Sequence, residues 1–262
     1  MNPARSEGHV ALVTGGSRGI GRATCLRLAE AGAAVAVNYQ SSQRAARELV
    51  AQIQAAGGRA QAFQADVSDR MAVGAMVDRV REALGTVDIL VNNAGILLRG
   101  SLLDHREEDF DAMWRTNVKG VVYAAATVAP GMIELGWGRV INLSSNAAVG
   151  TSLPATTFYA ATKAAVLSLT RRLALELGPH GITVNAVLPG FTMTDMTTAH
   201  LTPEGIAGVT DFFNQRSVLG RGVAQPEEIA HVIAFLASEK SAFMTGQLLL
   251  ADGGRTDYLS HV

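Results

Sequence analysis

Short apolar runs alternate along the chain with longer stretches in which apolar residues recur at helical spacing. The short runs predict buried strands at residues 10–13, 34–38, 60–65, 89–91, 139–143, 182–187 and 247–250. The longer stretches predict helices at residues 20–31, 43–55, 71–84, 102–129, 157–177 and 226–237. Apolar strands that alternate with helices form parallel sheets covered on both faces. The pattern therefore predicts an α/β fold, a doubly wound parallel sheet of about seven strands, in a single domain spanning residues 1–262.

A glycine-rich turn follows the first predicted strand and opens the first predicted helix. Its glycines have the spacing G-x-x-x-G-x-G rather than G-x-G-x-x-G. In a strand–turn–helix unit, backbone N–H groups at the helix start can bind a diphosphate, and glycine keeps Cβ atoms out of the way. The turn therefore predicts a dinucleotide site on a Rossmann-type fold. Its candidate cofactor-binding residues are Gly15, Ser17, Arg18, Gly19, Ile20 and Gly21.

The tip of the second predicted strand decides which dinucleotide is bound. An acidic residue there binds the ribose hydroxyls of NAD, whereas the extra phosphate of NADP requires neutral or basic groups. Residues 38–44 contain neither Asp nor Glu, and Arg18 could reach the same phosphate. We therefore expect NADP(H) rather than NAD(H). The further candidates are Asn38, Tyr39, Ser41 and Ser42, although one of the two serines could also cap the helix that follows.

Polar residues also follow the third and fourth predicted strands. Asp66 and Val67 come after the third strand, and Asn93, Ala94 and Gly95 come after the fourth. The carboxyl ends of parallel strands meet at one edge of the sheet, where cofactors bind. We therefore expect Asp66 to accept a hydrogen bond from adenine and Asn93 to lie beside the cofactor. Asp66 could otherwise cap the next helix, and the asparagine cluster could be an ordinary turn.

Tyr159 and Lys163 lie four residues apart in the predicted helix 157–177, so they share one face of it. An ammonium beside a phenol stabilises the phenolate, and this predicts a Tyr159 pKa below its usual value of ~10. Ser145, at the end of the preceding strand, could hold a substrate oxygen. The alternative for the Tyr–Lys pair is an ordinary helix surface. Ser144 competes with Ser145, because only one of two neighbouring strand residues can face a cleft.

Asn117 stands inside an apolar helical pattern, where asparagine is disfavoured and needs a reason. It could mark a local kink that frees a backbone carbonyl to bind water. It could equally make an ordinary interhelical hydrogen bond.

Composition and charge narrow the possible partners. The chain is 48% apolar with a formal net charge of −1, which lacks the basic bias of nucleic-acid-binding proteins. The single cysteine, Cys25, cannot form an internal disulfide. The polar first residues do not resemble a signal peptide, and no uncharged apolar run approaches the ~20 residues of a membrane span. We therefore expect a cytoplasmic protein with no membrane or nucleic-acid partner, and the scattered histidines predict no metal site.

Taken together, these features resemble the short-chain dehydrogenase/reductase family over essentially the whole chain. The markers occur in order: the glycine-rich turn, Asp66, Asn92-Asn93-Ala94-Gly95, Asn117, Ser145, Tyr159-x-x-x-Lys163 and Pro189-Gly190. The resemblance implies that Tyr159 is the general acid or base and that Ser145 polarises the substrate carbonyl. It implies that Lys163 binds the nicotinamide ribose and that Asn117 anchors a water in a proton relay. It also places Asn93 near the adenosine ribose, Asp66 and Val67 near adenine, and, near the nicotinamide, Pro189, Gly190 and Thr192.

The implied activity is NADP(H)-dependent hydride transfer to or from a small-molecule carbonyl or secondary alcohol, in a homotetramer. The alternatives are a 3-oxoacyl-[acyl-carrier-protein] reductase, a sugar or polyol dehydrogenase, and a non-catalytic nucleotide sensor. In carrier-protein reductases, basic residues before strands five and six dock the carrier. Here Arg139, Arg171 and Arg172 lie nearby, but no docking pair is evident.

Two further segments are expected to shape substrate choice. Residues 191–219 are less regular and predict a mobile lid. In that segment, Met193, Met196, Phe212 and Phe213 suggest a partly apolar pocket, with simple packing beneath the lid as the alternative. The tail at residues 255–262 is predicted to close the pocket of a neighbouring subunit.

Overall fold

A single parallel sheet organises the computed structural model, which describes residues 8–199 and 201–258. The strands are β1 Val10–Val13, β2 Ala34–Tyr39, β3 Arg59–Gln64, β4 Ile89–Asn92, β5 Gly138–Leu143, β6 Ile182–Pro189, β7 Phe191–Thr192, β8 Val223–Ala224 and β9 Leu248–Ala251. Seven of them pair in the order β3-β2-β1-β4-β5-β6-β9, and each neighbouring pair is parallel. The remaining two, β7 and β8, pair separately. The predicted doubly wound parallel sheet is confirmed.

Helices cover both faces of the seven-stranded sheet. They are α1 Gly19–Glu30, α2 Gln43–Ala55, α3 Arg70–Leu84, α4 Glu107–Trp114, α5 Gly120–Leu135, α6 Thr157–Leu177, α7 Asp195–Thr198, α8 Pro203–Asn214 and α9 Pro226–Leu236. Side chains of β1 show why both faces are covered: Val10 and Leu12 enter one apolar core, while Ala11 and Val13 enter the other. The first core contains residues of α3, α5 and α6, and the second contains residues of α1, α2 and α9.

The long helix predicted at residues 102–129 is interrupted. It begins only at Glu107, and a π-helical turn, Arg115–Lys119, separates α4 from α5. Asn117 lies in this turn, so the backbone is irregular where the asparagine suggested a kink. By length and composition alone the stretch Glu107–Leu135 could cross a membrane, but it packs against α3 and α6 within the fold. It is therefore one of the helices that cover the sheet.

The segment predicted as a lid contains two helices, α7 and α8, between β7 and β8. Phe213 is buried and stacks on Phe191 with ring centroids 4.5 Å apart, whereas Phe212 is partly exposed. Phe213 therefore packs beneath the lid, which was the alternative to its lining a pocket. Residues 255–258 of the tail contact this chain's own segments, and residues 259–262 lie outside the described residues. That the tail closes a neighbour's pocket stays a prediction.

Candidate active site

An open cleft runs along the carboxyl edge of the sheet, where β1, β2, β4, β5 and β6 end. Most of the residues predicted from sequence to bind cofactor line this cleft. They are Gly15, Ser17, Arg18, Gly19, Ile20, Asn38, Tyr39, Ser41, Ser42, Asp66, Val67, Asn93, Ala94, Gly95, Tyr159, Lys163 and Pro189. The structure therefore brings together, on one surface, residues that are far apart in the sequence, from Gly15 to Pro189.

The glycine-rich turn leaves donors free at the start of α1. Gly15 and Gly19 have φ values of +61° and +54°, a conformation that other residues rarely adopt. Arg18 is the N-cap residue, and its side chain makes no capping hydrogen bond. The first N–H groups of a helix have no partner within the helix, so they are available to an anion. This cradle fits the diphosphate of a dinucleotide.

Gly21 does not line the cleft but lets the turn close. A Cβ built at Gly21 would touch the carbonyl oxygen of Gly15 and lie 2.5 Å from Asn93 Nδ2. The same Asn93 Nδ2 donates to the carbonyl oxygens of Thr14 and Gly15, at 2.9 and 3.0 Å. Asn93 therefore ties the end of β4 to the glycine-rich turn. Its cluster is more than an ordinary surface turn.

Thr14 completes this connection; in the sequence it is the first residue of the glycine-rich marker Thr14-Gly15-x-x-x-Gly19-x-Gly21, but no role was predicted for its side chain. Its Oγ1 accepts hydrogen bonds from the backbone N–H groups of Asn93 and Ala94, at 3.0 and 3.1 Å. Its hydroxyl also donates to the carbonyl oxygen of Val91 at 3.3 Å. The signal that could have found it is its place between a buried strand and the glycines.

Asn38 stabilises the site from inside the protein. Its side chain is buried, its Oδ1 accepts from Gly15 N at 3.1 Å, and its Nδ2 donates to the carbonyl oxygens of Phe63 and Ala65, at 3.3 and 3.1 Å. These bonds use the amide fully. Asn38 therefore holds the glycine-rich turn against β2 and β3, although it also borders the cleft.

The neighbouring serines face the cleft edge with free hydroxyls. Ser42 occupies the N-cap position of α2, but its side chain makes no capping hydrogen bond. Ser41, Ser42 and Arg18 all line the cleft. Ser42 therefore occupies the N-cap position without using its hydroxyl group to cap the helix. The three side chains offer neutral or positive donors to a phosphate.

Asp66 does not cap α3, which corrects the alternative that we considered for it. Asp69 is the cap, because its Oδ1 accepts from the backbone N–H groups of Met71 and Ala72, at 2.8 and 3.2 Å. Asp66 instead accepts from Ser68 N and from Gln40 Nε2, both at 2.8 Å. Gln40, a residue that sequence reasoning missed, therefore fixes the Asp66 carboxylate at the edge of the cleft.

Asn117 links the π-helical turn to two other segments. Its Oδ1 accepts from Ile96 N and its Nδ2 donates to the Ile96 carbonyl oxygen, both at 2.9 Å. Nδ2 also donates to Thr162 Oγ1 at 3.0 Å, and Thr162 Oγ1 donates to the Tyr159 carbonyl oxygen at 2.8 Å. Asn117 thus makes an interhelical bond and also lies in an irregular turn. Thr162 was not singled out from the sequence.

The two adjacent serines have different surroundings. Ser144 Oγ donates to the Lys163 carbonyl oxygen at 2.8 Å, so its hydroxyl serves the α6 backbone. Ser145 Oγ accepts from Ala147 N at 3.1 Å and forms a hydrogen bond with the Tyr159 phenol. Ser144 lines the cleft and Ser145 does not, but only Ser145 is hydrogen-bonded to the phenol, so the choice of Ser145 stays a prediction.

The pKa of Tyr159 is shifted in the direction opposite to the one predicted, and the pKa of Lys163 is also shifted. Burial raises the pKa of Tyr159 to about 12, and the hydrogen bond from Ser145 only partly offsets that effect. Burial lowers the pKa of Lys163 to about 8. Lys163 Nζ lies 5.8 Å from the centre of the Tyr159 ring and donates to the Leu143 carbonyl oxygen at 2.8 Å. The expected lowering of the Tyr159 pKa is therefore absent, because desolvation dominates at this distance.

Of the three residues expected near the nicotinamide, only one lines the cleft. Pro189 lines the cleft. Gly190 lies behind it, since a Cβ there would come within 2.7 Å of Asp252 Cβ, and buried Thr192 donates to the Gly190 carbonyl oxygen at 3.2 Å. The lid also supplies Thr194, Asp195 and Met196 to the cleft; of these, only Met196 was indicated by the sequence, as a residue of a partly apolar pocket.

Within residues 8–199 and 201–258, no group of three or more potential ligand side chains is arranged to hold a metal ion. The cleft offers hydroxyl and amide groups, the phenols of Tyr39 and Tyr159, the ammonium of Lys163, the guanidinium of Arg18, and the carboxylates of Asp66 and Asp195. A phenol, a hydroxyl and an ammonium at the end of a dinucleotide cradle can together hold an oxygen and exchange a proton with it.

Known proteins share both the sequence and the fold. A family model described as enoyl-(acyl carrier protein) reductase matches residues 15–256. The chain is 43% identical over 248 residues to the 3-oxoacyl-[acyl-carrier-protein] reductase FabG of Staphylococcus aureus, covering 93% of this chain and 96% of that protein.

Two solved structures from Burkholderia cenocepacia have the same fold. A gluconate 5-dehydrogenase in complex with NADP and tartrate has a TM-score of 0.88 and 36% identity, covering 96% of each chain. A short-chain dehydrogenase in complex with NADP has a TM-score of 0.86 and 41% identity, covering 95% of this chain and 98% of that one. Since the resemblance, the fold and these relatives agree, this chain belongs to the short-chain dehydrogenase/reductase family of oxidoreductases.

Proposed function

We propose that this enzyme transfers a hydride between NADP(H) and a small carbonyl compound or secondary alcohol. The observation that carries the proposal is that Tyr159 and buried Lys163 line the same cleft as the glycine-rich turn. Ser145, which follows β5, forms a hydrogen bond with Tyr159. The bound nicotinamide would supply the hydride. Ser145 would hold the carbonyl oxygen, and Tyr159 would donate the proton to it.

Lys163 and Asn117 would orient the reacting groups. Lys163 Nζ uses one donor on the Leu143 carbonyl oxygen, and an ammonium has three, so two remain to bind a ribose hydroxyl. The absence of a side chain at Gly95 makes room for it, since a Cβ there would lie 3.3 Å from both Lys163 Nζ and Asn117 Oδ1. The relay through an Asn117-anchored water stays a prediction.

The cofactor specificity rests on the end of β2. Arg18, Ser41 and Ser42 line the cleft with unbonded or positively charged groups, and residues 38–44 contain no carboxylate. A phosphate on the adenosine ribose suits such a set, whereas the NAD ribose needs a carboxylate partner. The two Burkholderia cenocepacia relatives were each solved with NADP, which supports the same choice.

A cofactor comparison tests this assignment. We expect kcat/KM for carbonyl reduction to be at least about tenfold higher with NADPH than with NADH, equivalent to ~1.4 kcal/mol of binding. Arg18→Ala should lower the preference by raising KM for NADPH alone, with Arg44→Ala as the exposed control on α2. A higher kcat/KM with NADH would overturn the proposal for NADP(H).

A 3-oxoacyl-[acyl-carrier-protein] reductase is the second candidate, and the relative of that name at 43% identity favours it. The surface gives it less support. Arg139 is buried and lies 3.3 Å from Glu239, so it cannot contact a carrier protein, whereas Arg171 and Arg172 are exposed on α6. A substrate panel separates the candidates: acetoacetyl carrier protein, a simple acetoacetyl thioester, small ketones, sugar acids and polyols.

The relative use of the carrier-bound and simple substrates distinguishes the candidate functions. A carrier-protein reductase should use the carrier-bound substrate far better than the simple thioester, and Arg171→Glu should remove the difference. Equal use of both thioesters would favour a general carbonyl reductase. Preferred oxidation of a sugar acid or polyol would favour the dehydrogenase reading. NADPH binding without turnover of any compound would favour a nucleotide sensor.

We also expect a homotetramer, a cytoplasmic location and a lid at residues 191–219. Exposed apolar side chains support association of subunits: Val122, Ile133, Leu175, Phe243 and Leu250. The lid proposal is supported by Thr194, whose Cγ2 would lie 3.2 Å from a Cβ built at Gly19, so that the lid borders the glycine-rich turn.

A further inference from the structure

Residues 252–258, which we call the C-terminal clasp, pack against the end of the lid. The Arg255 side chain is buried, and its guanidinium lies 4.6 Å from the centre of the Phe213 ring on α8. Thr256 N donates to the Arg216 carbonyl oxygen at 3.0 Å, just beyond the end of α8. The clasp is thus attached to the lid helix by one stacked side chain and by backbone hydrogen bonds.

The same clasp is attached to the loop that joins Ser145 to Tyr159. Asp257 Oδ2 accepts from Ser152 Oγ at 2.6 Å, and Ser152 N donates to the Asp257 carbonyl oxygen at 3.2 Å. Two hydrogen bonds of 2.6 Å join the Arg255 guanidinium to the Asp257 carboxylate. Asp257 therefore connects the residue stacked on the lid with the loop between Ser145 and Tyr159.

Asp252 makes a second connection near the catalytic serine. Its Oδ2 accepts from Asn146 Nδ2 at 3.5 Å and from the Tyr258 phenol. Its Oδ1 accepts from Gly254 N at 3.1 Å, which fixes the carboxylate in place. Asn146 directly follows Ser145 in the chain. The clasp therefore contacts the loop at two places, Asn146 and Ser152.

The Arg255–Asp257 pair makes these contacts interdependent. The exposed fractions of the two side chains are 3% and 14%, so neither charge can be lost without leaving its partner poorly solvated. The hydrogen bond from Arg255 is the main reason that the pKa of Asp257 is lowered to about 2, so the pair is fully charged at neutral pH. A displacement of Phe213 and Arg255 would therefore displace Asp257 and Ser152 as well.

We propose that Asp257 is a positioning residue that couples the lid helix α8 to the loop carrying Ser145, through Arg255 on one side and Ser152 on the other. The inference rests on the proposed carbonyl-reductase function for its kinetic consequence. Closure of the lid on a substrate and alignment of Ser145 with Tyr159 are then one linked movement. Asp257 itself touches neither cofactor nor reacting atoms.

The kinetic test compares Asp257→Asn with wild type. We expect kcat for carbonyl reduction to fall by roughly 10- to 100-fold, the cost of a small misplacement of reacting groups. The Kd for NADPH should stay within about twofold of wild type, since the residues of the clasp do not border the cofactor cleft. Asp78→Asn is the matched control, because it breaks an exposed pair with Arg81 of 2.8 Å on α3 and should leave both constants unchanged.

Ser152→Ala is a milder variant that keeps the Arg255–Asp257 pair and should fold even if Asp257→Asn does not. It should lower kcat in the same direction by a smaller factor. Normal kcat per folded molecule in both variants, with only a lowered Tm, would overturn the proposal by showing that the clasp is merely structural.

Hydrogen exchange provides a readout that needs no substrate. In Asp257→Asn, amide exchange should become faster both in residues 146–156 and in residues 203–219, while residues 10–21 stay unchanged. Faster exchange confined to the clasp itself would overturn the coupling. Because this readout is independent of turnover, a wild-type enzyme that reduced no carbonyl would defeat the proposed function without deciding the question of the clasp.

Discussion

Burial shifts the pKa values of Tyr159 and Lys163 in opposite directions. It raises the pKa of the Tyr159 phenol to about 12, and it lowers the pKa of the Lys163 ammonium to about 8. Desolvation disfavours the charged form of each group, which is the phenolate of tyrosine and the ammonium of lysine. In the enzyme without substrate, Tyr159 therefore keeps its proton throughout the neutral range. Lys163 is the group whose charge changes near pH 8.

This difference predicts the pH dependence of the reaction. Tyr159 can act as an acid at every pH below about 12, but Lys163 loses its charge above about 8. We therefore expect kcat/KM for carbonyl reduction, which reports groups of the free enzyme, to fall as pH rises through about 8. A pH–rate profile of kcat/KM for NADPH, with the carbonyl substrate saturating, checks this. A profile that stays level to pH ~10, the usual range of a tyrosine, would contradict the assignment.

The same shift makes a prediction for stability. Between pH 8 and 10.5 the unfolded chain keeps the Lys163 proton while the folded protein releases it, so the unfolded state binds more protons. The free energy of unfolding should therefore rise with pH across this window by up to about 3 kcal/mol from this residue. Urea unfolding at the two ends of the window measures it. Lys163→Met should abolish the rise, and an equal rise in that variant would exclude Lys163 as its source.

At the scale of elements, one glycine allows α1 and the turn after β4 to meet. Gly21 has no room for a Cβ between the Gly15 carbonyl oxygen and Asn93 Nδ2. Asn93 in turn holds the backbone of the glycine-rich turn by its side-chain amide. The shape of the glycine-rich turn, where a diphosphate would bind, therefore depends on the close contact of Gly21 with Gly15 and Asn93.

Gly21→Ala should open this approach and weaken cofactor binding. We expect the Kd for NADPH to rise at least about tenfold and stability to fall by roughly 1–3 kcal/mol, the usual cost of overpacking. Calorimetric titration and thermal unfolding measure the two effects. Gly74→Ala is the control: a Cβ there meets nothing within 4 Å in α3, so it should stabilise the helix by roughly 0.5–1 kcal/mol and leave the Kd unchanged. Equal NADPH affinity in both variants would contradict the role of Gly21.

The elements and the main site residues could be predicted because their signals are local. Strand and helix patterns, the glycine spacing and the four-residue separation of Tyr159 and Lys163 are all visible in short windows. The contacts that were missed join distant positions. Thr14 bonds to the backbone at Asn93, 79 residues away, and Thr162 receives the Asn117 amide across 45 residues. Such pairings follow from strand order and helix packing, which a local pattern does not contain.

The pKa of Tyr159 was mispredicted for a related reason. Helical spacing places Lys163 on the same face, but it does not show how deeply the helix is buried or where the ammonium points. The structure directs Lys163 Nζ to the Leu143 carbonyl oxygen, and the burial of the site then outweighs attraction between the two groups.

At the scale of the whole molecule, the parallel sheet gathers the site from the full length of the chain. The glycine-rich turn lies after β1, the candidate serine Ser145 after β5, and the clasp after β9. Parallel strands bring all these connections to one edge. The start of α1 and the residues just before α2 border the cleft together with residues 194–196, and the clasp packs against the segment that follows α8.

The central claim is that Tyr159 protonates a carbonyl oxygen while NADPH reduces the carbon. The most direct measurement is single-turnover oxidation of bound NADPH by a carbonyl substrate, compared in wild type and Tyr159→Phe, with the Kd for NADPH measured for both. We predict that the variant keeps its NADPH affinity and loses reduction by roughly 10²–10⁴-fold, the usual contribution of a positioned proton donor. Undiminished NADPH oxidation by Tyr159→Phe would contradict the account.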